Sequence, residues 1–245
     1  MTIKTSINTI TAGIAGAFAV LAAAPAMAAT IGFEGTPDLP IYTGGDTYQE
    51  AGYTMTVLDP TGNGGLLGAI VDGSDPNRCD IIACPVGNST HQYLGLNDGG
   101  LGFARDDQKA FTVSGLDYGF VGPIVGLPNQ NYGKLVLTGQ LQGGGTVQAA
   151  FDFPLQNGGG DNVFGHLSQL GGLSGASLTS LTINACLLGN DNQCYYPAFN
   201  QAQFGLDNVE VSAVPEPETY AMLLGGLGVM AMLSRRRRAA TSTNA

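Results

Sequence analysis

Lys134–Leu141 (KLVLTGQL), the turn Gly143-Gly144-Gly145 and Thr146–Phe153 (TVQAAFDF) decide the fold class of this chain. Val147, Ala149, Phe151 and Phe153 share one parity, while Gln148, Ala150 and Asp152 share the other. Side chains alternate across an extended strand, so this run reads as a half-buried strand with an apolar face. Joined to Lys134–Leu141 through three glycines, it predicts an antiparallel hairpin. Working outward, short β-rich runs recur at Ile31–Glu34, Tyr53–Leu58, Leu66–Val71, Gln92–Leu96, Ala110–Val113, Leu178–Ala185 and Gln203–Val211. Gly, Asn and Pro clusters separate them, and no long stretch has a helical period. The pattern predicts an all-β sandwich or barrel, in one domain over residues 29–213.

Composition agrees. Gly (38) and Pro (12) are abundant, only 11% of the 245 residues are charged and 44% are hydrophobic, which fits a turn-rich folded domain and not a disordered polyelectrolyte. The net charge of −10 conceals an asymmetry, since Lys4 and Arg235, Arg236, Arg237 and Arg238 lie near the ends. Between Thr30 and Val214 there are four basic and 17 acidic residues. Binding nucleic acid through phosphate contacts needs a basic surface, so that partner class is excluded.

The ends read as addresses. Lys4, the small and apolar run Ile10–Ala24 and then Pro25-Ala26-Met27-Ala28-Ala29 have the tripartite form of a secretory signal peptide. Ala26 and Ala28 form the Ala-x-Ala site, with signal-peptidase cleavage expected between Ala28 and Ala29, so residues 1–28 form the leader. At the other end, Tyr220–Leu233 is uncharged and precedes the four arginines. As a helix it would be about 21 Å long against a hydrocarbon core of about 30 Å, too short for a lasting independent transmembrane helix. The arginines should stay cytoplasmic, leaving the body outside the inner membrane.

Pro215-Glu216-Pro217, the short apolar span and the Arg235–Arg238 cluster together resemble the PEP-CTERM sorting signal of exopolysaccharide-producing Gram-negative bacteria. The resemblance implies recognition of residues 214–238 by an exosortase, a membrane transpeptidase. Processing near Pro-Glu-Pro would follow transient anchoring in the inner membrane and would deliver the body to the cell surface or extracellular matrix of a biofilm. The tail 239–245 beyond the arginines is longer than usual for such a signal.

Four cysteines form two local pairs, Cys79/Cys84 and Cys186/Cys194. An exported chain meets an oxidising compartment, so two short disulfide staples are expected rather than a zinc site or a redox Cys-x-x-Cys. In the last strand Phe204 and Leu206 have one parity and Val209 and Val211 the other, so an extra residue must be absorbed near Asp207-Asn208. That marks a β-bulge, a device that re-aims a side chain, and it raises Asp207 as a candidate Ca²⁺ ligand against the plainer reading of a twist adjustment. Gln203-Phe204-Gly205-Leu206-Asp207 also resembles a Gln-Phe-x-x-Asp (QFxxD) subgroup of PEP-CTERM proteins. With Ile31–Gly35, it is similar as well to jelly-roll domains of the carbohydrate-binding-module type. That resemblance implies a jelly-roll-like β-sandwich, sugar recognition and a structural Ca²⁺ between first and last strands, carried here by Glu34 and Asp207.

No catalytic constellation emerges. His91 and His166 stand apart, Asp106-Asp107 would point to opposite faces, and Asp72, Asp75 and Asp80 lack the spacing of an EF-hand. There is no Trp, so a sugar platform would draw on Tyr42, Tyr48, Tyr53, Tyr93, Tyr132, Tyr195 or Tyr196, of which Tyr195-Tyr196 follows a disulfide loop. The leading expectation is a non-enzymatic exported protein whose body is structural or binds extracellular polysaccharide. The alternative is a secreted hydrolase of matrix polysaccharide, which would need two convergent carboxylates.

Overall fold

The structure, a computed structural model, describes residues 28–35, 40–75, 77–79, 82–215, 222 and 224–232. Ala26, Asp80, Glu216, Pro217 and Arg235–Arg238 lie outside the described residues. The described chain forms fourteen strands: β1 (Ala28–Ile31), β2 (Ile41–Tyr42), β3 (Thr47–Glu50), β4 (Tyr53–Leu58), β5 (Gly68–Asp72), β6 (His91–Gly95), β7 (Gly100–Arg105), β8 (Phe111–Phe120), β9 (Gly133–Leu141), β10 (Thr146–Asp152), β11 (Gly165–Leu167), β12 (Leu178–Leu188), β13 (Cys194–Tyr195) and β14 (Phe204–Ala213).

All ladders between these strands are antiparallel, and they make two faces. One runs β2-β5-β6-β14-β8-β11, with β1 succeeding β6 along the same edge of β14. The other runs β3-β4-β7-β12-β9-β10, with β13 capping β12. A pairing of Leu178 with Phe111 joins the faces, so the sheet curls into a jelly-roll-like β-sandwich. Between them lies one apolar core in which Phe33, Met55, Phe103, Phe111, Leu135, Leu181, Phe204 and Leu206 are all buried. The β9–β10 hairpin keeps the expected register, Val147 opposite Gly139 and Phe151 opposite Leu135. Val147, Ala149 and Phe151 are partly buried against the core because β10 is an edge strand.

The first strand differs from the expected Ile31–Glu34: it ends at Ile31, and Phe33 turns the chain with φ 60°. Glu50 causes this early stop. Its carboxylate accepts the backbone N–H groups of Gly32 and Phe33 and the hydroxyl of Tyr48, taking over donors that a longer ladder would have used. At the C-terminal side, residues 224–232 are helical with exposed side chains. Among the described residues no helix is long and apolar enough to cross a membrane.

Candidate functional site

Both expected disulfides are present, Cys79–Cys84 and Cys186–Cys194, with Cα separations of 6.0 and 5.4 Å. Each staples a loop that carries one of two candidate regions.

The first is built on β14. Its pairing with β8 slips between Asp207 and Glu210, and Asn208 sits at φ 47°, so the bulge read from the phase break is there. Asp207 thereby falls on the outer face of the first sheet, yet it is fully buried. The cover is the segment 82–90. It docks through bridges of Ala83 to Gly122 and Val86 to Val163. Pro85 sits directly on Gly119 and Gly205, where a Cβ would come within 2.6 and 2.8 Å of the proline ring. From this strap Asn88 Nδ2 and Thr90 Oγ1 donate to Asp207 Oδ2, the latter at 2.9 Å, while Asn208 N donates to Oδ1 at 2.7 Å. Asn208 Nδ2 bridges on to Asp117 at 2.8 Å, and His166 Nδ1 stands 2.8 Å from Asp117 Oδ1. Burial raises the Asp207 pKa to about 6, with Asp117 adding to the rise and the donors opposing it. On the neighbouring strand Gln92 is also fully buried, and neither its Oε1 nor its Nε2 has a hydrogen-bond partner among the described residues.

Glu34 reaches the same neighbourhood. Its Oε1 accepts the His91 backbone N–H at 2.8 Å, and Gly32 lies between it and Asp207, a Cβ there standing 3.7 Å from Glu34 Cγ and 3.8 Å from Asp207 Oδ1. The structure thus brings the two expected calcium ligands to one place. The donor set does not form a cation cage as it stands: Asp207 is surrounded by N–H and O–H groups, the complement of an anion. Among the described residues no group of three or more His, Cys, Asp or Glu side chains could hold a metal ion. A Ca²⁺ ion could enter only by displacing Asn88 and Thr90.

The second region is the loop after β13. Asp98, in the Asn97-Asp98 turn between β6 and β7, is fully buried. Its Oδ2 accepts the backbone N–H groups of Ala198 (2.9 Å) and Asn200 (2.8 Å), and its Oδ1 that of Ala202 (2.9 Å). The two amides taken by Oδ2 bracket Phe199. That residue is held at φ 51° with its side chain 97% exposed. Tyr196 donates to Asn184 Oδ1 at 2.9 Å, and Tyr195, 51% exposed, donates to Asp191 Oδ2 at 2.8 Å. Sequence reasoning singled out the two tyrosines and missed both Phe199 and its anchor. Of the other tyrosines, Tyr42, Tyr53 and Tyr93 are buried in the core and are unavailable to a ligand, while Tyr48 and Tyr132 are half-buried against it. His91 and His166 lie on Glu34 and Asp117, and the Asp106-Asp107 carboxylates are taken by Thr54 and Arg105.

Compared with known proteins, the chain is similar to several solved structures at low identity. One is the C-terminal family 22 carbohydrate binding module of Clostridium thermocellum Xyn10B (12% identity, 76% of this chain and 93% of that one, TM-score 0.35). Another is a cyclase from Fischerella sp. TAU (17% identity, 77% and 98%, TM-score 0.37). Likeness of this degree assigns no ligand to the chain. No curated protein matches the sequence significantly. Residues 213–238 match the model of the PEP-CTERM protein-sorting motif, starting at the last residue of β14. The chain therefore carries a PEP-CTERM sorting signal, the mark of an exported protein processed by an exosortase.

Proposed function

We propose that this exported chain places a non-enzymatic, glycan-binding β-sandwich at the cell surface or in the extracellular matrix, and that Gln203–Asp207 assigns it to the QFxxD subgroup. The observation that carries the binding reading is the Phe199 loop. A large aromatic left in water forgoes the stabilisation of burial, and a bulky residue at positive φ adds backbone strain of about 1 kcal/mol or more. Three backbone hydrogen bonds to the buried Asp98 hold both costs in place. Such a side chain is a ready surface for an apolar sugar face, with the side chain of its neighbour Asn200 available to meet hydroxyls. The body between Thr30 and Val214 carries four basic against 17 acidic residues, so an uncharged glycan fits and an anionic one is repelled.

The test is binding of the mature body, residues 29–214, to soluble β-glucans, mannans and galactans. Wild-type protein should bind at least one of them without releasing reducing ends, and Phe199→Ala should weaken that binding at least tenfold. Product release would establish the hydrolase alternative instead. Sorting is tested separately by deleting Pro215–Arg238, after which the protein should no longer reach the surface fraction.

A further inference from the structure

Away from the Phe199 loop, a cavity of about 200 Å³ lies between the strap 82–90 and the loops 125–127 and 156–162. Its walls are laced together. The Val86 N–H donates to the Asn162 carbonyl at 2.8 Å, and the Asn162 side chain, only 4% exposed, donates through Nδ2 to the Ala83 carbonyl at 3.1 Å. The Cys79–Cys84 disulfide lines the side from which the strap starts. Backbone hydrogen bonds and a covalent staple thus hold the cavity in shape, which keeps the ordering cost of binding low.

The wall carries both signs of charge. Arg78 Nη1 and Nη2 donate to the carbonyls of Asp75 (3.0 Å) and Pro85 (3.3 Å), while its Nε is buried and has no hydrogen-bond partner among the described residues. A buried N–H without an acceptor is costly, and a ligand oxygen relieves it. Asp161 brings a carboxylate to the same cavity, its Oδ2 held by Asn157 Nδ2 at 3.1 Å. Gln156 spends its Nε2 hydrogens on the Leu127 carbonyl at 3.1 Å and Asn162 Oδ1 at 3.4 Å, so its amide is fixed. Much of the remaining lining is aliphatic, and Val125, 67% exposed, carries it out to solvent.

These groups select a ligand class. A carboxylate would satisfy Arg78 and be repelled by Asp161, and an ammonium would do the reverse. A hydroxyl both donates and accepts, so a neutral polyol serves both residues at once. Sites that enclose a drug-sized ligand run to about 300–1,000 Å³, so this smaller cavity takes one ring and not a chain. We propose that the cavity is a second glycan site, seating a single neutral sugar ring. Arg78 Nε donates to one of its oxygens, Asp161 accepts from a hydroxyl, and Val125 and Leu127 meet its apolar face. The site extends the glycan-binding reading, on which its setting rests, but it stands on residues that the Phe199 loop does not share.

The experiment titrates the full chain, its disulfides intact and in micelles of a detergent without a sugar headgroup, with methyl glucoside, methyl mannoside and methyl galactoside. Affinity is read by ligand-observed NMR. At least one glycoside should bind, and Arg78→Met, which keeps the aliphatic stem and removes the donors, should weaken it at least tenfold. Val125→Glu changes an exposed part of the wall, where folding is not at stake, and should weaken binding at least threefold. Phe199→Ala should leave it unchanged. The proposal is overturned if no glycoside binds, if both cavity variants bind like the wild type, or if methyl glucuronide or glucosamine binds more tightly than the neutral rings. Loss of glycoside binding in Phe199→Ala alone would assign the ring to that loop and overturn the cavity as well. If instead Arg78→Met weakens glycoside binding while Phe199→Ala leaves polysaccharide binding intact, the Phe199 reading falls and the cavity stands.

Discussion

Asp98 and Asp207 are both fully buried carboxylates with several donors, yet they are built from different materials. Asp98 is satisfied by three backbone N–H groups of one loop, whose positions cannot be altered by a rotamer change. Asp207 is held chiefly by side chains, Asn88 and Thr90 from the strap and Asn208 from its own bulge, with Asp117 close by. Backbone donors fix a loop in one shape. Side-chain donors can turn away, so the Asp207 site is the one that pH and ions can address.

The comparison is broken most severely at Asp98. Asp98→Ala strands the buried amides of Ala198 and Ala202 and the part-buried amide of Asn200, and at about 1–3 kcal/mol for each unsatisfied buried group, partly relieved by water entry, the body should lose about 3–5 kcal/mol in urea unfolding. Phe199 should then lose its fixed position, so glycan binding should fall with stability. Asp207→Ala should cost less, about 1–2 kcal/mol at pH 7, because Asn88 and Thr90 can find water.

The sign of the pH effect sharpens the contrast. The folded pKa of Asp207, about 6, lies above the ordinary carboxylate value of 3.8, so the folded state holds its proton more tightly than the unfolded one. Its contribution to stability is therefore greatest below about pH 4 and declines as pH rises through 6. Melting curves between pH 4 and 7 should show this decline in the wild type and lose it in Asp207→Asn. An unchanged profile in the variant would remove Asp207 as the responsible group.

A comparable effect is expected at the seat of the strap. Gly205→Ala brings a Cβ to 2.8 Å from Pro85, an overpacking that should cost about 1–3 kcal/mol and displace Asn88 and Thr90 with the strap. The smallest expected effect is that of Ca²⁺. With donors already occupying Asp207, excess Ca²⁺ and chelator should give melting temperatures within about 1 °C of each other. A rise of several degrees that Asp207→Asn abolishes would show that Asn88 swings out and the cation reading is right.

Much of the fold was legible because its signals are local. The parity of Val147, Ala149, Phe151 and Phe153 marked the hairpin, and the phase break after Leu206 located the bulge at Asn208. Strands β2, β3, β7, β11 and β13 were missed for physical reasons. β3 carries polar residues at an edge, and β2, β11 and β13 have only two or three residues each. β7 contains Gly100 and Gly102, which read as turn, and Gly100 is needed because a Cβ there would meet Asn184 Oδ1 at 2.0 Å. At the candidate sites the tyrosines were legible and Phe199 was not, since nothing in Ala198-Phe199-Asn200 distinguishes an exposed aromatic from a core one.

By itself the sequence determined the β-class, the two cysteine pairs, the acidic body and the address at the C-terminus, because periodicity, spacing and charge are properties of neighbouring residues. Only the tertiary structure decided which carboxylates are buried and what they hold. Asp98 meets its loop 100 to 104 residues away, and Asp207 meets the strap 117 and 119 residues away. Contacts over such distances leave no local trace. They exist because the curled sheet brings strands from both ends of the chain together, and with them Ala28 beside Ser212.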